Sequence, residues 1–156
     1  PPFSLDKLRQ PIRVVIDSKH RLTPDLAFFQ IQSPVIILTT AVDNSHQWPH
    51  FVTHLVVPEE NGFVDLRQAM ILLAGLGVNN VWLEAGHTLA GKMAQQGLID
   101  QFIFYLAPKL IGHSGKSLLH LPMFESMAEV PELSIDDITM VGVDLKITAT
   151  YKKSDH

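Results

Sequence analysis

Apolar and polar positions along the 156-residue chain change period several times, and each change marks an element. Residues 1–11 are polar and proline-marked and read as a linker. Ile12–Asp17 is short, β-branched and bounded by Pro11, which predicts a strand. Leu22–Asp25 begins a loop or turn. Val35–Thr40 is apolar at successive positions and not merely at alternate ones, so it predicts a strand buried on both faces. Polar residues 41–50 interrupt the pattern, and His54–Val57 is a third strand halted by Pro58.

The period then lengthens. Asp65 is an N-cap candidate ahead of Leu66, Ala69, Met70, Leu73 and Leu76, whose spacings of three and four predict a helix ended by Gly75 and Gly77. Val81–Ala85 reads as a strand. Leu89, Ala90, Met93 and Ala94 mark a second helix with Gly97 as its stop, and Gln101–Leu106 reads as another apolar strand. Residues 81–106 are therefore expected to form strand, helix, strand, a crossover long enough to join two parallel strands with right-handed sense. Residues 107–131 read as loops with one helical turn. Leu133–Val141 and Asp144–Tyr151 predict a hairpin around Gly142-Val143, with Leu145, Ile147, Ala149 and Tyr151 inward and Asp144, Lys146, Thr148 and Thr150 outward. The sum is an α/β layer, parallel strands first and an antiparallel edge last, with residues 152–156 as a tail.

Composition narrows the class. At 17.4 kDa and 46% apolar residues, the chain is expected to form one domain with a real core. A formal charge of −4 and no basic block disfavour nucleic acid as a partner. Zero cysteines exclude disulfides and thiolate metal sites and fit a reducing, cytoplasmic compartment. No apolar run approaches the ~18 residues of a membrane span, and no signal-peptide pattern opens the chain.

The most informative stretch for chemistry is Glu84-Ala-Gly-His-Thr-Leu-Ala-Gly-Lys-Met93, which enters a helix directly after a predicted strand. Free main-chain N–H groups and the positive helix end would face an anion there. The same glycines, Gly86 and Gly91, also suit a tight strand-to-helix turn, and the segment alone leaves both readings open. Gly86-x4-Gly91-Lys92 is not a nucleotide-triphosphatase loop, because Met93 stands where a magnesium-binding Ser or Thr belongs; Gly115-Lys116-Ser117 lacks its first glycine, Leu110 being in that place. The dinucleotide fingerprint fails at Thr88. Glu84 is either a carboxylate favoured beside a helix N-terminus or a buried acceptor that orients a substrate. Asp17 and Ser18 end the first strand and are followed by Lys19, His20 and Arg21, either an ordinary polar turn or part of a crevice at the strands' carboxyl ends. His46, His50 and His54 are spaced by four, but Pro49 and the β-branched run after Phe51 argue against a helix, and no metal site is expected. No Gly-x-Ser-x-Gly elbow supplies a hydrolytic nucleophile.

Four segments together carry a family resemblance. Gln10–Ser18 with Arg21, Val81–Gly91, Gly97–Gln101 and Leu106–Gly112 occur in the order found in the reductase domain of the bifunctional riboflavin-biosynthesis deaminase/reductases, and the likeness continues into Val141–Leu145. Residues 12–151 thus resemble the C-terminal part of a RibD-type reductase domain. The resemblance implies a three-layer dihydrofolate-reductase-like α/β fold, NADPH as cofactor, and reduction of 5-amino-6-(5-phosphoribosylamino)uracil, a pyrimidine ribosyl phosphate, to its ribitylamino product. It implies cofactor contacts at Ser18 and at Gly86, His87, Thr88, Leu89, Ala90, Gly91 and Lys92, and a substrate contact at Glu84, with no side chain acting as a catalytic acid or base. The family's first two reductase strands and its zinc-binding deaminase domain are not matched here, so a C-terminal fragment or a shortened relative, inactive or weakly active by itself, is expected. The alternative is a non-catalytic nucleotide-binding or dimerisation module; a folate or pterin reductase of the same fold is more distant. An exposed terminal hairpin predicts a homodimer.

Overall fold

A computed structural model describes residues 10–42 and 44–152. The proposed linker at 1–11 therefore falls mostly outside the described residues, as does the tail after Lys152. The chain divides into two compact units, one ending at Asn80 and the other beginning at Val81.

In the first unit, β1 (Arg13–Ile16), β2 (Val35–Thr39) and β3 (Val52–Val56) form a parallel sheet in the order β1-β2-β3. All five residues of β2 are buried, as its unbroken apolar run requires of a central strand. Their alternation splits the core. Ile36 and Leu38 pack with Val57, Val64, Ala69 and Leu73 on one side, while Val35 and Ile37 pack with Phe29 on the other, bordered by Val15, Leu22, Trp48 and Phe51. The chain between β1 and β2 is held by two groups. Asp17, buried, accepts main-chain N–H bonds from Arg21 (3.0 Å) and Leu22 (2.8 Å). Arg13 donates to the carbonyls of Phe28, Ile31 (2.7 Å) and Ser33 (3.3 Å) and stacks over the Phe28 ring.

A small antiparallel ribbon, β4 (Glu59–Glu60) with β5 (Phe63–Val64), follows. Its turn is Asn61-Gly62, both at positive φ (53° and 78°), the backbone that a two-residue hairpin turn demands. Helix α1 (Leu66–Gly75) starts as the periodicity predicts: the Asp65 carboxylate accepts from Gln68 N at 3.0 Å. Leu66, Ala69 and Leu73 form its buried stripe, and Gly77 takes the left-handed conformation beyond its end.

The second unit contains α2 (His87–Gln95), β6 (Phe102–Leu106), β7 (Leu133–Val141) and β8 (Asp144–Tyr151), with the sheet ordered β6-β8-β7 and antiparallel throughout. The hairpin turns at Gly142 (φ 65°) as expected. Its final strand lies between two neighbours, so Lys146, Thr148 and Thr150 are half-buried like Leu145 and Ile147, and Ala149 alone is fully covered. The single 3-10 turn of the long loop region is Met127–Glu129.

One expected element is absent. Residues 81–86 form no strand, so no parallel crossover runs from them to β6, which pairs instead with β8. A strand exists through its ladder, and strand propensity without a neighbouring backbone does not create one. Val81, Trp82 and Leu83 are accordingly exposed, at 48%, 68% and 37%.

The Tyr151 hydroxyl donates to the Ala94 carbonyl at 2.7 Å, and its ring meets Phe102 edge-on, tying β8 to α2. Burial pushes the Tyr151 phenol above its ordinary value. The phenol form is therefore favoured in the folded state, and its contribution is complete below the unfolded-state pKa and lost as pH rises through the folded one. Tyr151→Phe should cost about 1 kcal/mol at neutral pH, and the difference from wild type should shrink above pH 10.0, as read by urea midpoints across pH. Among the described residues, no helix is long and apolar enough to cross a membrane.

Candidate active site

The two helices begin differently. The first turn of α1 is closed by its own Asp65 side chain, whereas α2 is preceded by Gly86, which has no side chain to offer and caps nothing. Ala90 N bonds back to Gly86 O at 3.1 Å. The N–H groups of His87, Thr88 and Leu89 precede the first residue able to bond within the helix, and no acidic residue occupies that turn. Gly86 lies at φ −67°, ψ 161°, and among the described residues a Cβ built there meets no heavy atom within 4 Å. The helix mouth is open, and its N–H groups and dipole together favour a bound anion.

The other members of the predicted set are placed as follows. His87, Leu89 and Ala90 are half-buried, Thr88 and Lys92 exposed. Gly91 is buried, but its Cα faces protein: a Cβ there would stand 2.1 Å from the His120 carbonyl oxygen. The close approach that this glycine permits is thus made by a main-chain segment of the same unit. Glu84 is not the buried acceptor at a strand end that the sequence suggested. It is exposed on non-strand backbone, and its Oε1 accepts from Trp82 Nε1 at 2.9 Å.

Ser18 belongs to the first unit, and the α2 mouth to the second. Ser18 Oγ accepts from Val64 N at 2.9 Å, joining the end of β1 to the β4–β5 ribbon. Its hydroxyl proton is not used by that bond and remains a donor for a ligand. Beside it, Lys19 Nζ lies 5.2 Å over the Phe63 ring. This ribbon was not expected from the sequence; the Asn61-Gly62 dipeptide, flanked by Glu59-Glu60 and Phe63-Val64, is the signal that could have found it.

The spaced histidines serve packing. His46 and His54 flank the Trp48 ring at 6.2 and 5.1 Å, His54 lies on β3, and His50 meets Phe51. No group of three His, Asp or Glu able to hold a metal is gathered among the described residues. The residue that periodicity and motif spacing did not mark is His120, which lies in the long loop region; its main-chain N donates to the His87 carbonyl at 2.9 Å, and the two imidazoles are 6.1 Å apart.

Known proteins match this architecture over nearly the whole chain. Escherichia coli (strain K12) riboflavin biosynthesis protein RibD is 42% identical over 143 residues, covering 92% of this chain and 39% of that protein. The 5-amino-6-(5-phosphoribosylamino)uracil reductase of Buchnera aphidicola subsp. Acyrthosiphon pisum is 30% identical, covering 93% of this chain and 70% of that one. Among solved structures, Acinetobacter baumannii RibD superposes with a TM-score of 0.78 at 22% identity over 97% of this chain, and the Saccharomyces cerevisiae riboflavin biosynthesis reductase Rib7 with 0.70 at 17% over 93%. The chain spans about two fifths of the length of the RibD relatives it matches. The fold is that of RibD and Rib7 reductase domains, the dihydrofolate-reductase-like α/β class expected from the resemblance. With the family model for the RibD C-terminal domain matching residues 2–147, the ordered segments and the fold converge, and the chain belongs to the RibD C-terminal domain family.

Proposed function

We propose that this chain is the cofactor-binding part of an NADPH-dependent reductase of riboflavin biosynthesis, acting on 5-amino-6-(5-phosphoribosylamino)uracil. The observation that carries the reading is the α2 mouth: an uncapped first turn with open space at Gly86, in a chain of the RibD C-terminal family. The residues fit a dinucleotide. The N–H groups of His87, Thr88 and Leu89 would hold its diphosphate. Glu84 would receive an N–H or O–H group of the pyrimidine in place of the Trp82 indole. When bound, NADPH supplies the hydride that reduces the sugar C1′ as the ribose ring opens. The chain's own contribution is to bind and orient; no side chain at the α2 mouth needs to move a proton. The exposed Val81, Trp82 and Leu83, on strand-like sequence without a ladder, favour completion of the site by further β-structure.

The protein is placed in the cytoplasm on its cysteine-free composition. It is read as a homodimer on the exposed β7 edge, where Leu133, Ile135, Ile138 and Met140 face solvent. The deciding experiment is NADPH oxidation by the full-length protein, followed at 340 nm with and without the phosphoribosylaminouracil. Substrate-dependent oxidation supports the reductase. NADPH binding without turnover would identify a non-catalytic nucleotide-binding module instead, and oxidation driven by dihydrofolate alone would point to a folate reductase.

A further inference from the structure

His87 and Gly91 are four residues apart and share one face of α2. The main chain at His120 lies along that face and engages both positions. Its N–H bonds the His87 carbonyl at 2.9 Å, and its O, C and N atoms would stand 2.1, 2.8 and 2.9 Å from a Cβ at position 91. All three atoms are backbone, so no rotamer change relieves the clash; any L side chain at 91 must displace residue 120 itself. The displaced contact ends at His87, the first helical residue after Gly86, and the His120 imidazole, exposed, stands 6.1 Å from that of His87.

We propose that Gly91 is a positioning residue of the cofactor site: by admitting the His120 main chain against α2, it sets the His120 imidazole beside the helix mouth as a further contact for the dinucleotide's phosphates. This rests on the reading of that mouth as the NADPH site and changes the role of Gly91 within it, from a ligand contact to the support of one. It also makes the segment leading to His120 part of the site, although the sequence there is an irregular loop.

The test measures NADPH Kd by fluorescence in the full-length protein, for wild type and for Gly91→Ala, His120→Ala and Gly86→Val, alongside Kd for the phosphoribosylaminouracil and thermal midpoints. Gly91→Ala should raise the NADPH Kd by about tenfold at temperatures well below its midpoint, with the pyrimidine Kd within about twofold of wild type. A purely structural glycine would lower the midpoint and leave the low-temperature Kd unmoved, which would overturn the proposal. His120→Ala keeps the main-chain contact and loses the imidazole, so NADPH should weaken about three- to fivefold. That arm decides alone if Gly91→Ala does not fold, and an unchanged Kd there overturns the proposal. Should Gly86→Val weaken NADPH while both other variants bind normally, the proposal fails and the α2 site stands. Should wild type not bind NADPH, the site reading fails and the proposal falls with it.

Discussion

Gly86→Val should weaken NADPH binding by about 100-fold, about 2.7 kcal/mol, while changing folding stability by no more than about 1 kcal/mol. The two halves of this expectation have separate causes. Residue 86 sits at φ −67°, ψ 161°, extended backbone that any residue adopts, and among the described residues a Cβ there touches nothing. The fold thus has little stake in glycine, beyond the modest preference of an N-cap for Gly over a β-branched residue. The ligand has a large one. Anion binding at a helix N-terminus depends on close approach to main-chain N–H groups, each a charge-assisted hydrogen bond, and a branched side chain at the cap interposes bulk where the anion must sit. Isothermal titration with NADPH beside a urea melt separates the two. Wild-type affinity in a folded Gly86→Val variant would remove the site from this helix.

Leu73→Ala should cost about 2–5 kcal/mol, a large share of the stability of a domain this size. Leu73 is 1% exposed and packs with Ile36, Leu38, Val57, Val64 and Ala69, so truncation leaves a cavity between α1 and the parallel sheet. The sheet cannot readily close on it, because β2 is filled on its opposite side by Val35, Ile37 and Phe29. Leu76, the C-cap residue just past the end of the same helix and 59% exposed, supplies the control: Leu76→Ala should move the urea midpoint by less than about 0.5 kcal/mol equivalent. Equal losses at both positions would contradict the packing described.

What the sequence disclosed about this fold follows from how local each signal is. The Asp65 cap, the α1 stripe, the buried run of β2 and the turn at Gly142 were legible because each depends on neighbours in sequence or on one unmistakable period. The strand expected at Val81–Ala85 failed for the opposite reason: its residue types are right, but a ladder requires a second backbone that composition does not reveal. The pairing of β6 with β8 was likewise non-local and was read as part of a parallel crossover. At the candidate site, the open α2 mouth was visible as a glycine directly ahead of the second helical period. Gly91 was marked by its residue type as a place of close approach, but its neighbour was not, since a loop residue 29 positions away supplies the backbone atoms that need its missing side chain. Of the two readings open for Glu84, a carboxylate beside a helix N-terminus or a buried acceptor, the second needed a setting that only a formed strand could provide, and the exposed Trp82 indole is its partner instead.

The central claim, that main-chain N–H groups at the start of α2 hold a dinucleotide's diphosphate, is tested most directly by amide NMR shifts during titration with NADPH and, separately, with inorganic pyrophosphate. The expected result is a shared, saturable downfield shift of the His87, Thr88 and Leu89 amides with both ligands, and none at Arg67, Gln68 and Ala69, where Asp65 already closes the turn. NADPH saturation that leaves the three α2 amides in place would contradict the account.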